Sequence, residues 1–95
     1  MKEAYWIAHV TVTDDEAYAR YAALATKAMD EHGGTFLARG GANTWFEGAG
    51  RPRNVVARFP SMEAAQACYD SATYQEALTH ARGASERELM IVEAL

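Results

Sequence analysis

Apolar side chains recur at every second position near the start of the chain, from about Ala4 to Val12. This spacing, with many β-branched and aromatic residues, predicts a β-strand. Both faces of the strand are largely apolar: one carries Tyr5, Ile7, His9 and Thr11, and the other carries Trp6, Ala8, Val10 and Val12. We therefore expect a central strand of a sheet that is covered on both sides.

The next segment changes to a spacing of three and four residues, which is typical of an amphipathic helix. Thr13 and Glu16 have the spacing of a capping box, in which each side chain satisfies a free backbone N–H at the start of the helix. Gly33 and Gly34 are expected to end it, because a left-handed C-terminal cap favours a residue without Cβ. The apolar stripe between these ends consists of Tyr18, Tyr21, Ala22, Ala25, Ala28, Met29 and His32.

The remainder of the chain alternates between short strands and helices, separated by glycine-rich turns. The pattern predicts strands over residues 35–39, 43–47, 54–59 and 86–95, a helix that begins at Ser61 as its N-cap, and a short helix over residues 73–81. The order is βαββαβ with one additional short strand or ribbon. This order predicts a ferredoxin-like α+β fold, in which a four-stranded antiparallel sheet carries the helices on one face. We take residues 1–95 as one domain, because a chain of this length can bury one hydrophobic core and not two.

The sheet face away from the helices is expected to be apolar as well. If Val55, Ala57 and Phe59 lie beneath the helices, then Val56 and Ile7 face the other way. A contiguous apolar face needs a cover, and a second copy of the same face supplies one, because a two-fold interface uses a single surface. We therefore expect a homodimer through the sheet face. The alternative is a monomer with a half-polar open face.

Composition and charge narrow the classes of partner. Apolar residues make up 49% of the chain and charged residues 23%, which is typical of a globular protein. The formal net charge is -4 and the basic residues are scattered, so we expect no nucleic-acid partner.

The sequence has no apolar run long enough to span a membrane and no signal-peptide core, so we expect no membrane contact. The cytoplasm is the default location, and the single cysteine, Cys68, excludes an intrachain disulfide.

Short motifs along almost the whole chain share a pattern with one known family. They include Asp14-Asp15-Glu16-Ala17-Tyr18, His32-Gly33-Gly34, Arg39-Gly40-Gly41, Phe59-Pro60-Ser61-Met62-Glu63-Ala64-Ala65, Tyr69-Asp70-Ser71 and Tyr74-Gln75. The most specific part runs from Phe59 to Gln75. On these residues the chain resembles the domain-of-unknown-function family 1330, which is similar in fold to the dimeric α/β-barrel superfamily. The resemblance implies a dimeric α/β barrel and, by analogy with enzymes of that superfamily, a pocket between helices and sheet. It implies no particular reaction.

His9 and Arg58 are the candidate catalytic residues. The first and third core strands of a ferredoxin-like sheet are neighbours, so we expect His9 and Arg58 to lie close together on one face. Histidine titrates near neutral pH and can act as an acid or a base, and a guanidinium binds a carboxylate or an enolate oxygen. The structural alternative is that both residues make polar contacts in the dimer interface or with nearby glutamates.

The candidate substrate contacts are three tyrosines and one arginine. Tyr21, Tyr69 and Tyr74 lie on helices that cover the sheet, and each offers an apolar ring with a hydroxyl that can bind a ligand oxygen. Their alternative role is core packing. Arg39 places a cation beside a Gly-Gly turn, where it binds an anion or, alternatively, pairs with Glu47. The histidines lack the spacing of a metal site and no nucleotide-binding motif is present, so we expect no metal and no cofactor.

Two functions are consistent with these observations. The first is a cofactor-free protein, either an enzyme or a binder, that handles a small organic molecule in a pocket between sheet and helices. The second is a non-catalytic dimeric interaction or regulatory module. A cleft lined by tyrosines favours the first function, and a closed core without a cleft favours the second.

Overall fold

A computed structural model describes residues 2–95 of the chain. The sheet is antiparallel with the strand order β2-β3-β1-β4, and the βαββαβ pattern is ferredoxin-like. The predicted fold class is therefore confirmed. As expected, two consecutive helices stand where the pattern has its second helix. The elements are β1 (Ala4–Val12), α1 (Asp15–Glu31), β2 (Thr35–Arg39), β3 (Arg53–Phe59), α2 (Met62–Asp70), α3 (Ala72–Ala81) and β4 (Ser85–Glu93).

The two ends of α1 depend on short-range contacts. Asp14 is the N-cap, because its carboxylate accepts a hydrogen bond of 3.1 Å from the backbone N–H of Ala17. The predicted capping box at Thr13 is wrong: the Thr13 backbone N–H is bound to the carbonyl oxygen of Ala84 at 2.8 Å, and the helix begins one residue later. At the other end, Gly33 has a φ of 77°, which favours glycine and ends the helix as predicted.

The predicted strand over residues 43–47 is wrong, and a loop connects β2 to β3. Side-chain contacts within the loop replace a ladder of backbone hydrogen bonds. The Asn43 side-chain amide donates to the carbonyl oxygen of Pro52 at 3.0 Å. Gly50 has a φ of 67° and lies against the Trp45 ring, where a Cβ atom would be only 2.4 Å from the ring. This close approach of backbone to ring requires glycine at position 50.

The inner face of the sheet, which lies beneath the helices, carries the core. Along β1 the predicted alternation holds, and the inward residues Ala4, Trp6, Ala8 and Val10 are at most 1% exposed. Aromatic rings fill the space above them: the Trp6 ring centroid lies 5.1 Å from that of Tyr74 and 5.7 Å from that of Phe59. None of the helices within residues 2–95 combines the length and apolar character that a membrane crossing requires.

The outer face of the sheet is partly open. Ile7 lies between Val56 and Met90 in one cross-strand row, so three apolar side chains are adjacent. Met90 is 49% exposed, and Val92 in the next row is 41% exposed. An apolar row is therefore present on the face away from the helices, and the rows on either side of it also carry polar residues, among them Arg58 and Asn54.

Candidate ligand cleft

A cleft that is open to solvent at one side lies between α1 and the inner face of the sheet. The cavity inside it is about 30 Å³, enough for about one water molecule, and the space reaches about 390 Å³ only when the open mouth is included. Most of its walls are apolar or aromatic, and few polar groups reach it, which is the usual character of a small-molecule site. The apolar walls consist of Trp6, Ala8, Tyr18, Ala22, Ala25, Met29, Phe36 and Val55.

Two arginines lie in one row across the inner face. Val10 of β1 pairs with Arg53 of β3 on one side and with Arg87 of β4 on the other. Since paired residues point to the same face, both arginine side chains extend beneath the helices, with roughly 10 Å between their Cα atoms. Both side chains line the cleft, and Arg39 reaches it from β2, where it pairs with Val55.

Tyr21, Tyr74 and Arg87 form a hydrogen-bonded cluster. The two phenol oxygens are 2.7 Å apart. Arg87 Nη2 donates to Tyr21 Oη at 2.7 Å and to Tyr74 Oη at 3.0 Å. The Arg87 guanidinium also lies 4.5 Å from the centroid of the Tyr21 ring, within the range of a cation–π contact. The cluster therefore joins α1, α3 and β4 at one point.

The protonation states of this cluster follow from its burial. Burial raises the pKa of Tyr21 and of Tyr74 above 10.0, and the neighbouring phenol adds to the effect at Tyr21, although the Arg87 cation opposes it at both. Burial lowers the pKa of Arg87, but its contacts with the phenol oxygens outweigh this effect, and the pKa is raised overall. At neutral pH the phenols are therefore uncharged and Arg87 is a cation, so the cluster supplies hydrogen-bond donors and no base.

Arg39 and Arg53 border the cleft on the side of β2 and β3. Arg39 Nη1 donates to Thr26 Oγ1 at 3.2 Å, and the Arg39 guanidinium lies 4.2 Å from the centroid of the Phe36 ring. The Arg53 guanidinium lies 6.0 Å from the centroid of the Tyr18 ring. The Nε atom of Arg53 is buried and has no hydrogen-bond partner.

The predicted substrate contacts lie in different places. Tyr21 and Arg39 line the cleft, and Tyr74 lies behind Tyr21 and contacts its hydroxyl. Tyr69 instead lines an open groove between α2 and β4. Within residues 2–95, Arg39 forms no ion pair with Glu47, because the predicted ribbon is absent. Roles for these four residues in ligand binding stay predictions.

His9 and Arg58 both lie on the outer face, but their expected proximity is wrong. His9 pairs with Asn54 and Arg58 pairs with Tyr5, so four residues of β1 separate their positions, or roughly 13 Å. His9 Nδ1 donates to Asn54 Oδ1 at 2.6 Å, and Arg58 Nε lies 3.5 Å from a carboxylate oxygen of Glu3. Strand register, which the sequence pattern does not define, causes this separation. A catalytic role for either residue stays a prediction, and a joint role at one reacting atom is not supported.

Arg53 and Arg87 are the cleft residues that the sequence analysis missed. Arg53 is in phase with Val55, and Arg87 is in phase with Leu89, so the period of two places both arginines on the core side of their strands. In the sequence, these residues are recognisable as arginines at strand positions whose period-two neighbours are apolar core residues. Long charged side chains are rarely buried without a partner, so such a position indicates a specific role.

Other reactive groups lie outside the cleft. Cys68 is fully buried, as predicted, and burial together with the charge of Glu31 raises the pKa of its thiol to about 11. A thiol of this kind is a poor nucleophile. His32 Nδ1 donates to the carbonyl oxygen of Ala28 at 2.8 Å. Within residues 2–95, His, Cys, Asp and Glu side chains form no group of three or more that could bind a metal ion.

Several solved structures share this fold. A protein of unknown function from Rhodopseudomonas palustris has a TM-score of 0.79 and 20% identity, over 99% of this chain and 83% of that one. SnoaB, a cofactor-independent oxygenase from Streptomyces nogalater, has a TM-score of 0.63 and 13% identity, over 100% and 95% of the two chains. A dimeric protein of unknown function with a ferredoxin-like fold from Bacteroides fragilis has a TM-score of 0.58 and 12% identity, over 97% and 96%. Likeness at these identities shows the fold alone.

Sequence similarity at the level of the family is more informative. No curated protein matches the sequence. The domain of unknown function DUF1330 matches residues 3–95, which is nearly the whole chain and includes every motif on which the resemblance was based. The chain therefore belongs to the DUF1330 family.

Proposed function

We propose that this protein binds a small organic molecule in the cleft between α1 and the inner face of the sheet. One observation carries the proposal: the hydrogen-bond donors of Tyr21, Arg53 and Arg87 are enclosed with the apolar side chains of Trp6 and Val55 in the same cleft. Such a cleft favours a ligand that fills apolar space and binds a few fixed polar groups. The grooves beside α2 and beside the β2–β3 loop are more open.

The cleft has to widen to admit a ligand, and its mouth is suited to that change. Phe36 and Arg39 lie on β2, a short edge strand that pairs with β3 alone. Phe36 is half-buried and Arg39 is exposed. Exposed side chains change rotamer within nanoseconds, whereas a packed core resists displacement. We therefore expect a ligand to enter past β2 and to meet fixed groups on β1, β4 and α1.

We further propose that any reaction of the bound molecule needs no cofactor. The description of the Streptomyces neighbour as a cofactor-independent oxygenase on the same fold supports this proposal. The arginine cations and uncharged phenols of the cleft are suited to stabilise negative charge that develops on a ligand oxygen. None of the residues that line the cleft is a histidine or a carboxylate, so the chain supplies polarisation there and not a general base.

A pair of substitutions on α1 tests the ligand site. Ala22 lines the cleft, whereas Ala23 is exposed on the same helix. Isotope-labelled protein is titrated with a library of small aromatic and aliphatic compounds while its amide NMR shifts are followed. We expect shifts at cleft residues in the wild type and in Ala23→Leu, and none in Ala22→Leu, because leucine fills the cleft. The two variants change helix propensity equally. Binding that survives Ala22→Leu, or shifts that lie elsewhere, would contradict the proposal.

We also propose that two copies form a homodimer through the outer faces of their sheets. The row of Val56, Ile7 and Met90 supports this, because a contiguous apolar patch is rarely left exposed to water. The Bacteroides neighbour with the same fold is described as dimeric. In such a dimer the ligand clefts lie on the opposite sides of the two sheets, so each protomer keeps its own accessible cleft.

Light scattering at micromolar concentration tests the dimer. We expect the wild type to have twice the 10.4 kDa mass of one chain. Met90→Lys places a charge in the outer face and is expected to reduce the mass to that of one chain. Thr79→Lys adds the same charge on the exposed side of α3 and serves as the control. A wild type with the mass of one chain would show that the outer face has another role.

The proposed location is the cytoplasm. The single cysteine is free and buried, so the fold does not depend on an oxidising compartment. Cell fractionation of the natural host, followed by immunodetection, tests this location, and recovery in a membrane or extracellular fraction would contradict it.

A further inference from the structure

We propose that the ligand of the cleft is a small organic anion, a flat carboxylate, which Arg53, Arg87 and the Tyr21 hydroxyl bind together. This proposal rests on the cleft being a ligand site, and it adds the chemical class of the ligand and the atoms that recognise it.

Positive charge is concentrated in the cleft without a counter-charge. Arg39, Arg53 and Arg87 line it, and none of the other lining residues is acidic. Within residues 2–95, no carboxylate oxygen lies within 4.0 Å of a nitrogen of these three side chains. The whole chain carries a net charge of -4, so overall composition does not account for a basic cleft. Arg53 and Arg87 are half-buried, and burying part of a cation without a counter-charge is costly, so we assign the missing counter-charge to a ligand.

The buried nitrogen atoms of the cleft also lack acceptors. The Nε atoms of Arg53 and Arg87 are both buried, and neither has a hydrogen-bond partner within the described residues. Native structures rarely leave such atoms without a partner. The hydroxyl of Thr26 on the opposite wall is already engaged: it donates to the carbonyl oxygen of Ala22 at 2.9 Å and accepts from Arg39. A complementary ligand therefore has to bring acceptors.

The tyrosine pair adds one more donor. Two phenols carry two hydroxyl protons, and only one of these lies between the oxygens of Tyr21 and Tyr74. Arg87 donates to both oxygens and accepts neither proton. One hydroxyl proton therefore has no acceptor among the described residues. Because Tyr21 lines the cleft and Tyr74 does not, we assign this proton to Tyr21, with Tyr74 donating to Tyr21.

The shape of the cleft narrows the ligand class further. A guanidinium presents its N–H groups in one plane, which matches the two oxygens of a carboxylate. The apolar walls include the aromatic rings of Trp6, Tyr18 and Phe36, and the space between them is narrow. Aromatic rings stack favourably on a flat unsaturated body. An aromatic or conjugated monocarboxylate satisfies both requirements.

Matched pairs of acid and amide test the proposal on the wild-type protein. Benzoate and 1-naphthoate are compared with benzamide and 1-naphthamide by amide NMR titration, since each pair has nearly the same shape and differs in charge. We expect each acid to bind at the cleft about ten-fold or more tighter than its amide, because hydrogen bonds to a charged acceptor are stronger. This comparison does not depend on the folding of any variant.

Arginine substitutions identify the recognising groups. Arg53→Gln and Arg87→Gln are each expected to weaken acid binding about ten-fold and amide binding by less, because an amide carbonyl accepts a weaker hydrogen bond from the same donors. Arg20→Gln removes an exposed cation on α1 that contacts Glu16 at 3.8 Å, and it is the charge-matched control. We expect Arg20→Gln to change the affinity for either compound by no more than about two-fold.

A second matched pair tests the assignment of the hydroxyl proton. Tyr21→Phe and Tyr74→Phe both remove the hydrogen bond between the phenols. Only Tyr21→Phe also removes the donor that faces the cleft. We therefore expect Tyr21→Phe to weaken acid binding by roughly five-fold and Tyr74→Phe by less than about two-fold. Equal losses in the two variants would overturn the assignment.

The outcomes separate this proposal from the one on which it rests. If amides bind at the cleft as tightly as acids, the anion proposal is overturned and the cleft remains a ligand site. If no compound shifts the resonances of cleft residues, both proposals are overturned. If acids bind at the cleft selectively and lose affinity in Arg53→Gln, Arg87→Gln and Tyr21→Phe but not in Arg20→Gln, both are supported.

Discussion

Arginines lie on both faces of the sheet, and their surroundings differ. On the outer face, Arg51 Nη1 lies 3.3 Å from a carboxylate oxygen of Glu86, and Arg51 Nε lies 3.6 Å from one of Glu88. On the inner face, Arg53 and Arg87 are partly buried, each has an unpartnered Nε atom, and neither has a carboxylate within 4.0 Å among the described residues. The chain thus supplies acidic partners to Arg51, which water could also solvate. On the proposal above, a bound ligand supplies the acceptors for Arg53 and Arg87.

This difference has a cost in stability. Unpaired charge beneath the helices lowers the free energy of unfolding, whereas an apolar residue of similar size would raise it. Proteins often carry such local destabilisation at sites of function. The comparison between the two faces therefore predicts opposite responses to the same substitution.

Charge reversal on the inner face should have the largest effect. In Arg53→Glu a carboxylate replaces a cation of the cleft and repels an anionic ligand. We expect the affinity for 1-naphthoate to fall by more than about 100-fold, or about 3 kcal/mol. Isothermal titration calorimetry measures the change. Arg20→Glu on the exposed side of α1 is the control, and equal losses in the two variants would mean that the inner face has no special role.

Alkaline pH should destabilise the buried side of the molecule. Burial raises the pKa of Cys68 from 9.0 to about 11, and raises the pKa of Tyr21 and of Tyr74 above 10.0. In each case the unfolded chain releases its proton first, so stability that is present below the unfolded pKa is lost as the pH rises. We expect the free energy of unfolding to fall by on the order of 2 kcal/mol between pH 9 and pH 11.

Urea unfolding at several pH values checks this expectation. Cys68→Ala should delay the start of the loss from about pH 9 to about pH 10, and Tyr74→Phe should reduce the slope above pH 10. A free energy of unfolding that stays constant up to pH 11 would show that burial does not raise the pKa values of these groups.

Replacing one arginine on each face with methionine compares the two faces directly. Arg53→Met removes an unpaired charge from the inner face and is expected to raise the free energy of unfolding by about 0.5 to 1 kcal/mol. Arg51→Met removes the contacts with Thr11, Glu86 and Glu88, and is expected to lower it by about 1 kcal/mol. Urea unfolding at pH 7 measures both changes. A loss of equal size in the two variants would contradict the comparison.

The smallest effect is expected at the edge of the outer face. Glu3 and Arg58 form a pair of 3.5 Å between side chains that are 53% and 43% exposed. Because water and salt screen such a pair, Glu3→Gln should change the free energy of unfolding by less than about 0.5 kcal/mol. It should leave carboxylate binding unchanged. A loss of ligand affinity in this variant would indicate that the ligand binds on the outer face and would contradict a site on the inner face.

Local patterns in the sequence were sufficient for most of the fold. The alternation from Ala4 to Val12 identifies β1 and divides its residues between two faces, because neighbouring side chains of a strand point to opposite sides. The helical spacing after Asp14 identified α1 and placed Tyr21 on its buried side. The prediction of an extra strand at residues 43–47 is wrong because contacts of loop side chains with a glycine and with backbone carbonyl groups replace strand pairing there. Composition does not reveal such contacts.

The candidate site was predicted only in part, for a reason that concerns distance along the chain. The helical spacing placed Tyr21 on the buried stripe of α1, which forms a wall of the cleft, and Arg39 was singled out beside the turn that follows β2. The partners of Tyr21 lie 53 and 66 residues away, in Tyr74 and Arg87. Strand register determines which of these distant residues meet, and a shift of one residue would turn Arg87 to the outer face.

The sequence by itself determined which residues of each strand or helix share a face, because side-chain direction repeats with the local geometry of each element. The tertiary structure decided which arginines have acidic partners. Arg51 meets Glu86 and Glu88 because its loop lies beside β4, while Arg53 and Arg87 share a row with Val10 and meet no acid within 4.0 Å among the described residues. Pairing of charges depends on which strands are neighbours, and that is a property of the folded sheet and not of any segment in it.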